Sequence, residues 1–345
     1  MHRFVDDLPY GHLLRRFRNG ELTIEDIKKL NERVYKGGGL PDGMQYASYR
    51  NRDRDIINAS VFLKFCLDNQ RDGIAQDAVA ILMDDLKVKN GNNTSVPMRS
   101  QNRFFQNCME DNLSCGSGDS TERLAPILYG MKDGPFMITY NKDVKQGQAN
   151  GSCVFLEKVM LKAGESYSYI TLDNGVKVRA ATANQIKYLL LRHESDRVQP
   201  QQFKMVPKRY TFRAKMPVPT YLSVGEREKD NMETFYMQGY QFPLINNSAT
   251  TGHKLQGKTV KELFVYTWER MSCINWEYVV LSRVKTFYGL YFKEALKEDP
   301  ELYRVPESLQ KFLDRMRQER MAKTFDEDTY NYIHSYTHLS STQSS

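Results

Sequence analysis

Long apolar runs are missing from this sequence. No stretch reaches the ~18 uninterrupted apolar residues that a membrane-spanning helix needs, and the start, MHRFVDDLPY, has none of the apolar length of a secretory leader. The chain therefore reads as soluble and intracellular, with no membrane partner. Cysteine is sparse and unpatterned: Cys66, Cys108, Cys115, Cys153 and Cys273 are odd in number, form no C-x-x-C pair and have only six scattered histidines for company. That spacing argues against a zinc site and for reduced thiols in cytosol or nucleus. No self-similarity appears at periods of about 20 to 50 residues, which excludes a solenoid or propeller.

What is present describes an ordinary globular protein. A chain of 345 residues with 40% hydrophobic and 26% charged residues can bury one or two cores. Lys plus Arg number 49 against 42 Asp plus Glu, a net charge of +7 that suits a polyanionic partner without requiring one.

Along the chain, strand and helix patterns alternate first. Asn19-Gly20 makes a turn. Thr23 with Asp26 reads as a capping box, and Ile27, Leu30 and Val34 follow on one face before Gly37-Gly38-Gly39. MQYASY (44–49) has strand character, and a helix with Ile56, Ile57, Val61, Leu63 and Leu67 opens at Asn51. Residues from about 90 to 120 turn to Asn, Ser, Gly and Asp, the composition of a loop-rich insertion. PFMITY (135–140) is a short apolar strand. Beyond it, Asn150-Gly151, VFLEKVML, YSYITL, Asp173-Asn174-Gly175 and VKVRAAT predict hairpins of a small β unit over 144–241. LFVYTW (263–268) and WEYVVLS (276–282) then read as apolar strands. The tail from Pro306 has Leu309, Phe312, Leu313 and Met316 at helical spacing, with a frayed SSTQSS end.

One stretch spells a phosphate loop. ATTGHKLQGKTV (249–260) contains G-x-x-x-x-G-K-T as Gly252, Gly257, Lys258 and Thr259. A working phosphate loop follows a buried strand, opens a helix, and is joined by a downstream apolar strand ending in Asp. Here the preceding INNSATT is mostly polar, and neither LFVYTW nor WEYVVLS ends in Asp.

Read with its neighbours, the same stretch has a different parallel. FPLINNSATTGHKLQGKTV (242–260), then WEYVVLSRVKTFYGLYF (276–292), resemble motifs five and six of superfamily-one DNA helicases of the Pif/RecD kind. The matching residues are Phe242, Pro243, Leu244, Ala249, His253, Lys254, Gln256, Gly257 and Thr259, then Tyr278, Val279, Leu281, Ser282, Arg283 and Val284. LRRFRNGELTIEDIKKLNERV (14–34), YASYRNRDRDIINASVF (46–62, with Asn58) and PILYGMKDGPFMITYNKDVKQGQANGS (126–152) continue the similarity in order. The eukaryotic, transposon-associated branch is the nearest in flavour.

The resemblance implies an α/β fold: a second RecA-like helicase domain with a parallel sheet, formed by 1–143 and 242–300, plus an inserted SH3-like β domain at 144–241 and a C-terminal helix and tail at 301–345. It implies an ATP-dependent helicase moving 5′→3′ on single-stranded DNA. The first motor domain, with the true phosphate loop and Mg²⁺-binding Asp-Glu pair, is expected to precede residue 1 or to sit on another chain. ATP and Mg²⁺ would then bind only in complex with that domain, and none to this chain alone. By resemblance, Arg283 stabilises charge on the transferring phosphoryl group. Thr251, His253 and Lys254 grip the strand near its phosphates, and Gln256 with Gly257 couples grip to nucleotide cleft. The expected compartment is the nucleus. A non-catalytic DNA-binding protein derived from such a helicase, and a small NTPase using 252–259, are the competing classes.

FKMVPKRYTFRAK (203–215) interleaves Lys204, Lys208, Arg209, Arg213 and Lys215 with Phe203, Tyr210 and Phe212. This suits either a nucleic-acid groove or a half-buried strand with solvated lysines.

Overall fold

The computed structural model describes residues 4–89, 95–97, 125, 127–172, 175–194, 201–217, 232–268, 276–312, 314–316 and 318–319. Most of the loop-rich 90–120 stretch, Cys108, Cys115, Cys273 and the SSTQSS end lie outside the described residues.

Four short strands, β1 (Gln45–Ser48), β2 (Ala249–Thr251), β3 (Leu263–Val265) and β4 (Leu290–Phe292), form an all-parallel sheet in the order β2-β1-β3-β4. Side chains alternate across it. Ala47, Leu263, Val265, Leu290 and Phe292 enter one cluster with Leu14 and Phe17 of α1 (Leu8–Asn19), Ile27 and Leu30 of α2 (Ile24–Asn31), and Trp276 and Val280 of α4 (Trp276–Leu281). Tyr46, Ala249 and Phe264 face the other way, onto Ile57 of α3 (Asn51–Asp68). Helices on both faces of a parallel sheet bury it twice over, which is the α/β arrangement expected from the sequence.

The first two helices are closed as their sequences dictate. Gly20 ends α1 at φ 73°, a left-handed conformation that glycine adopts without a Cβ penalty. Thr23 and Asp26 form the capping box of α2. Asp26 also accepts from Arg16 Nε at 2.7 Å, which ties the two helices together.

Between α3 and β2 the chain builds an antiparallel-rich region. It is wider than the sequence pattern places it. Strands 70–71 and 74–82 follow α3 directly, and 74–82 pairs with 127–131 antiparallel and with 177–182 in parallel. Pro135–Ile138 pairs with Cys153–Leu161, which pairs with Ile186–His193. Leu244–Asn246 closes that five-stranded sheet on Pro135–Ile138. So the strands 70–71, 74–82, 127–131, 135–138 and 244–246, expected beside the parallel sheet, belong with the antiparallel strands instead. The reason is physical: a short apolar run is equally suited to a buried strand of either sheet, and its residues do not name a partner. VFLEKVML and VKVRAAT do lie outside the parallel sheet, as expected.

A second correction concerns WEYVVLS, expected as a strand. Residues 276–281 are helical, with Trp276, Val280 and Leu281 buried on one side. The β-branched pair Val279-Val280 favours a strand locally, but burial of Trp276 against the sheet outweighs that preference. In the tail, residues 307–312 are helical while Phe312 and Met316 are each 48% exposed.

Candidate nucleic-acid interface

The parallel sheet delivers the 249–260 stretch to the surface. β2 pairs with β1 from Tyr46↔Ala249 to Ser48↔Thr251. β2 is an edge strand, and its outer backbone groups are satisfied by Asn58 of α3. Ala249 N–H donates to Asn58 Oδ1 at 2.8 Å, and Asn58 Nδ2 donates to the carbonyls of Ala249 at 3.1 Å and Asn246 at 3.2 Å. Asn58 thus acts as a surrogate neighbouring strand. Spacing arguments single it out only as a match to the motif, not for this role.

Thr251, buried, ends the strand and leads into a tight 3-10 turn, Gly252–Leu255. His253 is exposed, Lys254 half-buried and Leu255 buried, so the turn shows its polar side outward while anchoring on one leucine. Gln256 and Gly257 are exposed, with Gly257 at φ 83°. The exposed imidazole and half-buried ammonium of the turn are donors suited to phosphate oxygens, whereas the Thr251 hydroxyl, expected to join them, is buried at the strand end.

Gly252 is dictated by packing. A Cβ there would lie 2.6 Å from the Trp276 ring and 2.7 Å from Val280 Cγ2. Its neighbour is therefore an indole. The residues spelled as a phosphate loop form a 3-10 turn, and 256–262 that follow contain no helix. Backbone N–H groups are not gathered at a helix N-terminus, which is what a triphosphate cradle requires. The stretch lacks the strand-loop-helix geometry of a phosphate loop.

Arg283 completes the constellation from the other side. It follows α4, rather than ending a strand as the sequence suggested, and is buried. Its Nη1 donates to the carbonyls of Leu255 at 3.4 Å and Lys258 at 3.5 Å, and its Nη2 donates to Ser282 Oγ at 2.6 Å. Val260 N–H donates to the Arg283 carbonyl at 3.0 Å. Side chain and backbone together fasten the 252–260 loop to the segment after α4. Thr251, His253, Lys254, Gln256, Gly257 and Arg283 are thus brought into one unit. Trp276 is the member that sequence reasoning missed; its ring filling the space at Gly252 has no spacing signature.

The basic stretch 203–215 sits apart. Phe203 stacks on His193 with ring centroids 4.9 Å apart, Tyr210 is buried, and Lys208 lies 3.4 Å over the Tyr140 ring. Phe203 and Tyr210 are thus taken up internally, which favours the half-buried strand. Side chains of Phe212, Arg213 and Lys215 lie outside the described residues. A cleft of about 1090 Å³ opens beside the loop, lined in part by Cys153, His193, Asn247 and Lys258. Burial pushes the Cys153 thiol up, with Glu194 adding to and Lys258 opposing the effect. Among the described residues no group of three or more His, Cys, Asp and Glu could hold a metal ion, and no helix is long and apolar enough to cross a membrane.

Solved structures match this arrangement over most of its length. A Bacteroides Pif1 bound to single-stranded DNA is similar with a TM-score of 0.52 and 17% identity, covering 90% of this chain and 54% of its own. Pif1 helicase from Candida albicans is similar with a TM-score of 0.53 and 16% identity, covering 91% of this chain and 59% of its own. The fold is Pif1-like. The parallel sheet with α1 to α4 is accordingly RecA-like, and the chain spans somewhat over half the length of the Pif1 structures it matches. No protein-family model and no curated protein matches the sequence.

Proposed function

We propose that this chain is the translocating half of a Pif-type, ATP-driven DNA helicase. Its second RecA-like domain carries an inserted SH3-like β unit and moves 5′→3′ on single-stranded DNA when joined to a first motor domain. The observation that carries the reading is the 3-10 turn at Gly252–Leu255, packed on Trp276, with His253 exposed and Lys254 half-buried. The Pif1-like fold and the Pif1 bound to single-stranded DNA support it. Thr251, His253 and Lys254 hold phosphates, Gln256 and Gly257 transmit their position, and Arg283 serves the nucleotide cleft.

ATP with Mg²⁺ supplies the driving free energy when held by the first motor domain. This chain's contribution is to grip the strand and to couple the grip, through the Arg283 bonds to Leu255 and Lys258, to α4. The motif resemblance supports a eukaryotic, transposon-associated origin and a nuclear setting. In the experiment that tests the reading, a phosphate-loop-bearing first motor domain is fused or added and DNA-stimulated ATP turnover is measured. Turnover lost in Arg283→Ala but kept in Lys258→Ala is expected. Turnover lost in Lys258→Ala and kept in Arg283→Ala contradicts it.

A second reading is favoured by one observation, the inward Arg283 guanidinium, which is committed to loop carbonyls. On that reading the chain binds single-stranded DNA without catalysis, and Arg283→Ala then leaves the turnover of any added motor domain unchanged.

A further inference from the structure

Away from the 251–260 loop, the edge strand β4 and the segments that flank it hold a group of rings and cations that the reading above leaves unused. Arg33 lies 4.8 Å over the Tyr291 ring and 5.8 Å over that of Tyr288, held there by donating from Nε to the Leu290 carbonyl at 2.8 Å and from Nη2 to the Tyr288 carbonyl at 3.0 Å. Tyr288 itself is 75% exposed. Further along, Lys293 Nζ lies 3.8 Å over the Tyr266 ring. Phe264 and Tyr291 are register partners, so Tyr266 and Lys293, two residues on in each strand, share their face. The group ends at a groove of about 510 Å³ to which Tyr35, Tyr266 and Lys293 contribute.

The charges decide the occupant. Lys29, near this group, is neutralised by Glu32 at 2.6 Å. Arg33 and Lys293 have no carboxylate partner among the described residues; each is placed against tyrosines instead. A guanidinium oriented by backbone carbonyls and an exposed ring beside it offer phosphate contact and a base-stacking surface together, the pairing by which single strands are bound without sequence preference. On a chain of net charge +7, an acidic polymer is the complementary ligand.

We infer that Tyr288, Arg33, Tyr291, Tyr266 and Lys293 form a second contact surface for single-stranded DNA, distinct from the Thr251–Lys254 turn and engaged only by strands long enough to reach both. The inference rests on the single-strand reading of that turn. It is tested with the whole chain and fluorescent oligothymidylates, a short one of about 8 nucleotides and a long one of about 30. Tyr288→Ala and Lys293→Glu weaken binding of the long strand about fivefold or more, the scale of one lost stack. They leave the short strand unchanged, and Tyr288→Phe restores the loss. Lys254→Ala weakens both lengths. Unchanged long-strand affinity in Tyr288→Ala and Lys293→Glu, alongside a loss in Lys254→Ala, overturns the second surface and leaves the turn standing. No binding by the wild type at either length overturns both. If the two variants instead lose association with an added motor domain while keeping the long strand, the group is a protein interface and the inference fails. Tyr288 is a surface side chain, so unaltered thermal unfolding of Tyr288→Ala confirms that the variant is folded.

Discussion

At Gly252 a single methyl decides between two chemistries. Gly252→Ala forces the new Cβ onto Trp276 and Val280, and overpacking of this kind costs about 1–3 kcal/mol. Urea unfolding followed by tryptophan fluorescence checks this, with a shifted midpoint and an altered native emission expected. Lys258→Ala, at the seventh of the eight positions of the same motif spelling, costs less than Arg283→Ala, because the carbonyl that accepts from Arg283 is backbone and survives the substitution. Arg283→Ala removes the guanidinium donor from the Leu255 and Lys258 carbonyls, of which Leu255 keeps the Lys258 N–H at 2.9 Å, and loosens the loop, for a loss of about 1–3 kcal/mol. These three outcomes mark what a motif can and cannot say. The letters G-x-x-x-x-G-K-T fix residue identities, but the backbone they form here is a 3-10 turn packed on an indole from a segment more than twenty residues away. The alternative pattern spans the loop residues Leu255, Lys258 and Val260 and the Arg283 that bonds to them, though Phe242 and Leu244 lie in a different core cluster. It did not foretell that Arg283 turns its guanidinium onto the loop.

Elements were legible where their ends are signalled locally. Thr23 and Asp26 sit at the spacing of a capping box and form one, and Asn19-Gly20 closes α1. Arg16, ten residues from Asp26, gives no such signal, yet its hydrogen bonds hold the Asp26 carboxyl below the usual range, with burial partly opposing. A carboxyl depressed in the folded state contributes stability above its unfolded value and loses it as pH falls through the folded one. Asp26→Asn is therefore expected to cost about 1 kcal/mol at neutral pH, the usual scale of a lost cap. The two proteins converge in strong acid, as denaturation series at several pH values will read. A gap that persists unchanged below the ordinary carboxylate range contradicts the assignment. α4 escaped the sequence because Val279 and Val280 carry strand propensity, and only the tertiary burial of Trp276 resolves the choice. Asn58→Ala removes the side chain that stands in for a neighbouring strand beside β2. About 1–3 kcal/mol is lost there, with faster amide exchange at Ala249 as the local signature.

On the scale of the whole molecule, alternation of strand and helix announced the α/β portion, and hairpin turns announced the antiparallel one. The boundary between them was not readable, since Ile74–Leu82 and Ile127–Met131 have the composition of strands in either sheet and only pairing assigns them. Function follows the same division. The parallel sheet sets the turn, α4 fixes it from behind, and donors project outward. The central claim is that 249–260 meets DNA and not nucleotide, and one titration addresses it directly. The purified chain is titrated with a fluorescent oligothymidylate across a range of salt, and in parallel with a fluorescent ATP analogue and Mg²⁺, for wild type, Lys254→Ala and Lys258→Ala. The account predicts single-strand binding whose logarithm falls linearly with log salt. Lys254→Ala weakens that binding and reduces the slope by about 0.7, the share of one phosphate contact. No tight nucleotide binding is expected in any variant. Micromolar nucleotide binding abolished by Lys258→Ala, with DNA binding absent or indifferent to Lys254 and to salt, would contradict it.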